Sequence, residues 1–287
     1  MEEPSLKQTP AEFFGHAFTD QRKRAKQDQA TQRCPYIGTE CIKPRKSQPK
    51  IKVGICSVGY KGDALPRIEP IIVCPKRFEV EEMFRYVAVE YFGTLPRGQE
   101  IIWVPNVPLG PVGHIDFVAV RRRKGEAQPM DYVLVETQAA GTTGSPWKAI
   151  LEFKRQRKFR SDRYNFGINW ANEFQKTMMQ QAYKKGRVVG AWGKKVVFVV
   201  QDVAMAWLRR ATDTSGLRPV NQTDTILFYT VKMAWDSLSG TWKFVPGEKL
   251  STDQEGVRRM LAGTLASEQI PEIDFRNLLV QRLNEEA

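Results

Sequence analysis

Three side chains on two predicted neighbouring strands have the types and spacing that metal-assisted phosphodiester hydrolysis needs. Asp116 lies in the strand-like run 115–121, and Glu136 and Gln138 end the run 132–138. Alternate residues of a strand share a face, so Glu136 and Gln138 point the same way, beside Asp116 on the adjoining strand. Two carboxylates can hold a divalent cation, and a polar neighbour can orient the attacking water. The spacing predicts a catalytic cluster of Asp116, Glu136 and Gln138.

The alternative interpretation of these acids is a pair of solvated strand ends. Residues 133–135 are all apolar and predict a buried strand, so a charge at its end needs a partner or a metal. The order of residues follows the nuclease pattern D-(x)n-(D/E)-x-K, with Gln138 at the lysine position. Neutral glutamine can orient by hydrogen bonds but cannot offset phosphate charge. We therefore expect a compensating cation from Lys148, Lys154 or Lys176, although each could equally contact phosphate or solvent.

All four cysteines of the chain, Cys34, Cys41, Cys56 and Cys74, fall in one segment rich in proline and glycine. In a reducing cytosol, four clustered thiolates are typical of a closed structural metal site that ties loops together. Two disulfides, or four unrelated buried thiols, are the alternatives. The ligands alone do not separate iron from zinc.

The charge balance favours a polyanionic partner. The chain has 44 Lys and Arg against 32 Asp and Glu, for a net charge of +12, and basic runs at 121–124 and 154–163 bracket the predicted catalytic strands. The longest apolar runs are far shorter than a membrane span, and the N-terminus does not resemble a secretion signal. We expect a cytoplasmic, prokaryotic protein without membrane contact.

The elements that must position these residues indicate an α/β fold. Apolar residues at helical spacing predict a helix over 80–91, followed by strands at 101–104, 115–121 and 132–138. A helix over 169–185 ending at Gly186, a fully buried strand at 196–200, a hairpin across Gly240 and two C-terminal helices complete the pattern. We expect an N-terminal arm (1–30), a loop-rich four-cysteine metal module (31–78) and a nuclease domain (79–287) with a mixed central sheet flanked by helices.

The co-occurrence of these cysteines and acids resembles the NotI family of type II restriction endonucleases. The resemblance covers roughly residues 30–200. It rests on residues 34–35, 41–45, 54–58, 72–78, 113–117 and 135–139, with Gln175, Lys176 and Gln180 further on.

The resemblance implies a PD-(D/E)xK core, restriction-endonuclease-like, in which Gln138 replaces the usual lysine and Asp116 and Glu136 bind magnesium. It also implies a structural metal on the four cysteines, iron in the best-known member, and a homodimer that cuts a GC-rich palindrome in double-stranded DNA. A cognate DNA methyltransferase would be its functional partner.

The expected activity is therefore that of a magnesium-dependent type II restriction endonuclease leaving 5′-phosphate and 3′-hydroxyl ends. The competing hypotheses are a repair or recombination nuclease with the same core and a non-catalytic, metal-stapled DNA-binding protein. Arg160, Arg163, Gln175 and Lys176 are the candidate DNA contacts, because such side chains read bases and phosphates.

Overall fold

The structure is a computed structural model of the chain and describes residues 2–4, 6, 9–45, 48–62, 67–144, 147–158, 166–263 and 271–286. Across these residues, no helix combines the length and apolar character that crossing a membrane requires.

The N-terminal part of the chain contains two small sheets. A four-stranded sheet has the order β2-β1-β5-β6, and β3 and β4 form a separate pair. The strands are β1 (Pro10–Phe13), β2 (His16–Ala17), β3 (Pro44–Arg45), β4 (Gln48–Lys52), β5 (Ile55–Tyr60) and β6 (Glu69–Ile72). Residues 10–13 of the predicted arm form β1, which pairs antiparallel with β5 of the cysteine segment. Cross-strand pairing joins the two segments of sequence into one sheet.

The rest of the chain is organised by a seven-stranded sheet with the order β13-β15-β14-β12-β9-β8-β7. The remaining strands are β7 (Gln99–Pro108), β8 (His114–Arg123), β9 (Pro129–Gln138), the short pair β10 (Thr142–Thr143) and β11 (Gly167–Ile168), β12 (Val196–Gln201), β13 (Arg218–Pro219), β14 (Ile226–Asp236) and β15 (Thr241–Thr252). β12 runs parallel to both β9 and β14, whereas the other pairs are antiparallel. The predicted mixed sheet and α/β class are confirmed.

The apolar pattern of β12 explains its central position. All six of its residues are buried, as expected for a strand covered on both faces. One face contributes Phe198 and Val200 to the core shared with the N-terminal sheet, and the other contributes Val197 and Val199 to a second core. The sheet therefore has packed layers on both sides. The acids lie where the start of β8 is paired with the end of β9.

Helices cover both faces of this sheet. The α-helices are α1 (Lys23–Ala30), α2 (Glu81–Phe92), α3 (Trp147–Gln156), α4 (Met179–Ala191), α5 (Asp202–Ala211), α6 (Gln254–Ala262) and α7 (Glu272–Glu286). Short 3-10 helices occupy Pro75–Phe78 and Gly110–Val112, and a π-helical segment, Ala171–Met178, continues directly into α4.

The predicted helix end at Gly186 is wrong, because α4 continues to Ala191. Gly186 is buried within the helix, and a Cβ atom there would lie 2.5 Å from the side chain of Ile226. The glycine lets α4 approach β14 closely instead of ending the helix. This close packing also brings the buried face of α4 over the sheet.

A buried ion pair ties the N-terminal sheet to the large sheet. Arg77 donates from Nε to Glu12 Oε2 at 3.1 Å and from its guanidinium to the carbonyl of Trp242 at 2.6 Å. Its guanidinium also lies over the rings of Tyr36 and Phe244. Both charged side chains are almost fully buried, so each depends on the other for its charge to be tolerated there.

Candidate active site

Strands β8 and β9 bring the two predicted acids together. Phe117 pairs with Val135, so the next step of the same antiparallel register places Asp116 opposite Glu136. The backbone N–H and the hydroxyl of Thr137 donate to Asp116 Oδ2, at 2.9 and 3.0 Å. Asp116 is half-buried and held by these two bonds at the end of the hairpin. The juxtaposition that the sequence predicted is present.

Glu136 is buried, and its burial strongly affects its ionisation. It is only 5 % exposed. Burial is the main cause that raises its pKa to about 7, the charge of Asp116 raises it further, and Lys185 opposes both. A carboxyl group that ionises near neutral pH beside a second carboxylate is typical of functional sites.

Gln138 contacts a carboxylate that sequence reasoning did not consider. Its Nε2 donates to the carbonyl of Ala139 at 3.0 Å and to Glu173 Oε2 at 3.4 Å. Glu173 comes from the π-helical segment, and a Cβ on Gly141 would lie 2.3 Å from its Oε1. Gly141, after β9, thus leaves room for Glu173 to approach. The Oε2 atom of Glu173 accepts from the Gln138 amide and orients it.

Lys185 is the second residue that sequence reasoning missed. It is only 4 % exposed, and its Nζ donates to Glu136 Oε1 at 2.6 Å. A signal was present in the sequence, because Lys185 follows Met178 by seven residues and Ala182 by three, on the apolar face of the helix. A lysine in an apolar stripe needs a buried acceptor.

None of the three lysines proposed as a compensating cation is placed at the acids by the structure. Lys154 Nζ instead donates to the carbonyl of Lys52 at 3.1 Å, in the N-terminal part of the chain. Lys176 is exposed, and the side chain of Lys148 lies outside the described residues. Lys185, from the middle of α4, is a cation that does contact Glu136.

The candidate DNA contacts divide in the same way. Arg160 and Arg163 lie outside the described residues. Gln175 is half-buried and Lys176 exposed on the π-helical segment that also carries Glu173. Their contact with DNA remains a prediction.

The basic run at residues 121–124 lies away from the acids. Arg122 is six residues from Asp116 along β8, which is about 20 Å in an extended strand. Its side chain pairs with Glu100 at 3.0 Å, and that of Arg123 pairs with Glu126 at 3.7 Å. Sequence proximity to the catalytic strands therefore does not place these charges at the catalytic end.

The four cysteines are buried and unpaired, which excludes the two-disulfide alternative for this structure. Burial raises the pKa of Cys34, Cys56 and Cys74, and the charges of neighbouring cysteines raise each of them further. The raised pKa values favour the neutral thiol at these three positions. Among the described residues, however, no group of three or more Cys, His, Asp or Glu has an arrangement that could hold a metal ion. The predicted structural iron or zinc has no support from this geometry.

A magnesium site at the two acids needs fewer protein ligands than the structural metal does. Magnesium is commonly bound by one or two protein carboxylates, with water and substrate phosphate completing its octahedron. Asp116 and Glu136 supply two hard oxygen donors on adjoining strands, and the donors of Thr137 both contact Oδ2 of Asp116. The residues present therefore fit a magnesium site that also needs DNA, and do not fit a site made by protein alone.

A mixed sheet flanked by helices, with two carboxylates at the end of the β8–β9 hairpin, defines an α/β fold of the restriction-endonuclease-like class. The family described as restriction endonuclease NotI matches residues 17–237, which is most of the chain and includes every cysteine and both acids. The chain belongs to this family. A comparison with curated proteins found no match. Membership makes the chain a type II restriction endonuclease, a site-specific deoxyribonuclease whose substrate is DNA.

Proposed function

We propose that the protein hydrolyses double-stranded DNA at a GC-rich palindromic site in a magnesium-dependent reaction that leaves 5′-phosphate and 3′-hydroxyl ends. The observation that carries this proposal is the pairing of Asp116 with Glu136 at the end of the β8–β9 hairpin. Family membership supports the substrate and the site-specific class of cleavage.

Each residue of the cluster has a separate role in this proposal. Asp116 and Glu136 would hold magnesium, which would polarise the phosphate and lower the pKa of a bound water. Thr137 fixes Asp116 through two hydrogen bonds, so this carboxylate is preorganised. Gln138, oriented by Glu173, can align water or phosphate but adds no charge.

The proposal includes a homodimer, because a palindrome offers the same half-site to each of two symmetric copies. It also includes a structural role for the cysteine module. The four cysteines are buried and free, and thiolates are the ligand type that structural iron and zinc sites use. A cytoplasmic, prokaryotic enzyme accompanied by a cognate methyltransferase completes the proposal.

Plasmid cleavage tests the central claim. The protein is incubated with plasmid DNA in magnesium, in calcium and without a divalent ion, beside the variants Asp116→Ala and Glu136→Ala. We expect discrete fragments with identical ends in magnesium and none from either variant. Glu126→Gln is the control, because this carboxylate is exposed in the turn of the same hairpin. Structure-dependent nicking without discrete fragments would favour a repair nuclease, and tight binding without any cleavage would favour a DNA-binding protein.

A further inference from the structure

Lys185 is a charged residue inside the protein whose three donors are all used. Nζ donates to Glu136 Oε1 at 2.6 Å, to the carbonyl of His114 at 2.8 Å and to Gln181 Oε1 at 3.3 Å. An ammonium group has three N–H donors, so this arrangement satisfies it completely. Its direction is therefore determined by these three acceptors.

Two of the acceptors belong to the strands that carry the acids. His114 stands two residues before Asp116 on β8, and Glu136 lies on β9. The ammonium thus bridges the two strands beside the carboxylate pair. Its positive charge lies beside Glu136, whereas glutamine at position 138 supplies no charge.

We propose that Lys185 is the positioning residue of this active site, a lysine that reaches Glu136 from helix α4 and replaces the strand lysine absent at position 138. By holding Oε1 of Glu136, it fixes the carboxylate plane and so determines where the second oxygen points. The inference rests on the proposed nuclease function for its catalytic consequence, but the positioning of Glu136 can be measured without cleavage.

A purely structural role for the pair is the competing explanation. Buried ion pairs rarely stabilise a protein more than apolar residues of similar volume do, and Met178, Met179 and Ala182 of the same helix segment pack in the core without charge. A methionine at position 185 could pack in the same way. The test must therefore separate stability from metal binding and catalysis.

The variants are Lys185→Met, Lys185→Arg, and the double variant Lys185→Met with Gln138→Lys. Lys184→Met is the matched control, since Lys184 is exposed on the same helix turn. Folding is checked by urea unfolding, and Mn²⁺ binding is measured by calorimetry on the complex with cleavage-resistant DNA. DNA binding in Ca²⁺ is measured by fluorescence anisotropy, and cleavage is followed under single-turnover conditions at saturating Mg²⁺.

We expect Lys185→Met to weaken Mn²⁺ binding at least tenfold and to slow cleavage about a hundredfold, as loss of the partners that orient metal ligands does. Binding of DNA in Ca²⁺ should change less than threefold. Lys185→Arg should retain part of both properties, and the double variant should recover at least tenfold of the lost rate because the charge returns from β9.

Folded Lys185→Met that binds Mn²⁺ as tightly as wild type, or more tightly, would overturn the inference. If Lys185→Met does not fold, Lys185→Arg and the double variant decide between the two explanations by the same measurements. Wild-type protein whose Mn²⁺ binding depends on Glu136 and Lys185 but that does not cut DNA would refute the nuclease function and leave the positioning role intact.

Discussion

The ionisation of Glu136 predicts how the stability of the metal-free protein depends on pH. Its pKa rises from 4.5 to about 7, first because of burial and then because of the charge of Asp116. The unfolded chain loses this proton near pH 4.5, whereas the folded protein keeps it until about pH 7. Between these values the folded state binds more protons, so the free energy of unfolding decreases as the pH rises.

The size of this decrease follows from the same shift. Each tenfold change in proton affinity corresponds to about 1.4 kcal/mol, so ionised Glu136 lowers the stability by about 3 kcal/mol above pH 7 relative to pH 4. Replacement by glutamine mimics the protonated carboxyl and still offers Lys185 an acceptor oxygen. Glu136→Gln should therefore lack this component of the pH dependence.

Urea unfolding of the metal-free protein at a series of pH values measures the effect. The quantity of interest is the difference in the free energy of unfolding between wild type and Glu136→Gln, which should grow in favour of the variant by about 3 kcal/mol between pH 4 and pH 8. Glu126→Gln, at an exposed carboxylate, should follow wild type. Mg²⁺ with cleavage-resistant DNA should stabilise wild type increasingly as the pH rises. The same addition should stabilise Glu136→Gln much less. Parallel pH profiles for wild type and Glu136→Gln would refute the assignment of a raised pKa to this carboxyl.

Three further outcomes are expected. Asp116→Asn should reduce cleavage by a factor on the order of a thousand or more, because a metal ligand is lost. DNA binding in Ca²⁺ should persist, because the repulsion between this carboxylate and the phosphates falls. Equal losses of binding and cleavage, in filter-binding and single-turnover assays, would contradict this role. Elemental analysis should find about one iron or zinc per chain, and Cys56→Ser should lose it together with solubility, whereas a soluble, metal-free and fully active variant would exclude the structural metal. Arg77→Met should lower the free energy of unfolding by about 3–5 kcal/mol, because Glu12 would be left buried without its Arg77 partner. Arg67→Met, at an exposed ion pair, is the control and should leave the denaturation curve close to that of wild type.

Local patterns were sufficient for one helix and one hairpin outside the site. The helix predicted over 80–91 is observed as Glu81–Phe92, and the hairpin across Gly240 is observed between β14 and β15. Helices α3 and α5 were not predicted. The run 203–208 is apolar throughout and lacks a polar face, so periodicity alone could not distinguish a helix from a strand there.

The sequence by itself determined the neighbourhood of Asp116 and Glu136, because a two-residue period and a short polar turn are enough to align the strands of a hairpin. Only the tertiary structure decided which cation meets Glu136. Lys185 is 49 residues away in sequence, and its contact depends on how closely α4 packs on β14 at Gly186. Helical periodicity specifies which face of a helix is buried, but not which strand lies beneath each of its residues. The same reason explains why β1 is found beside the cysteine segment: strand pairing over long separations is set by the cores that the paired strands jointly bury.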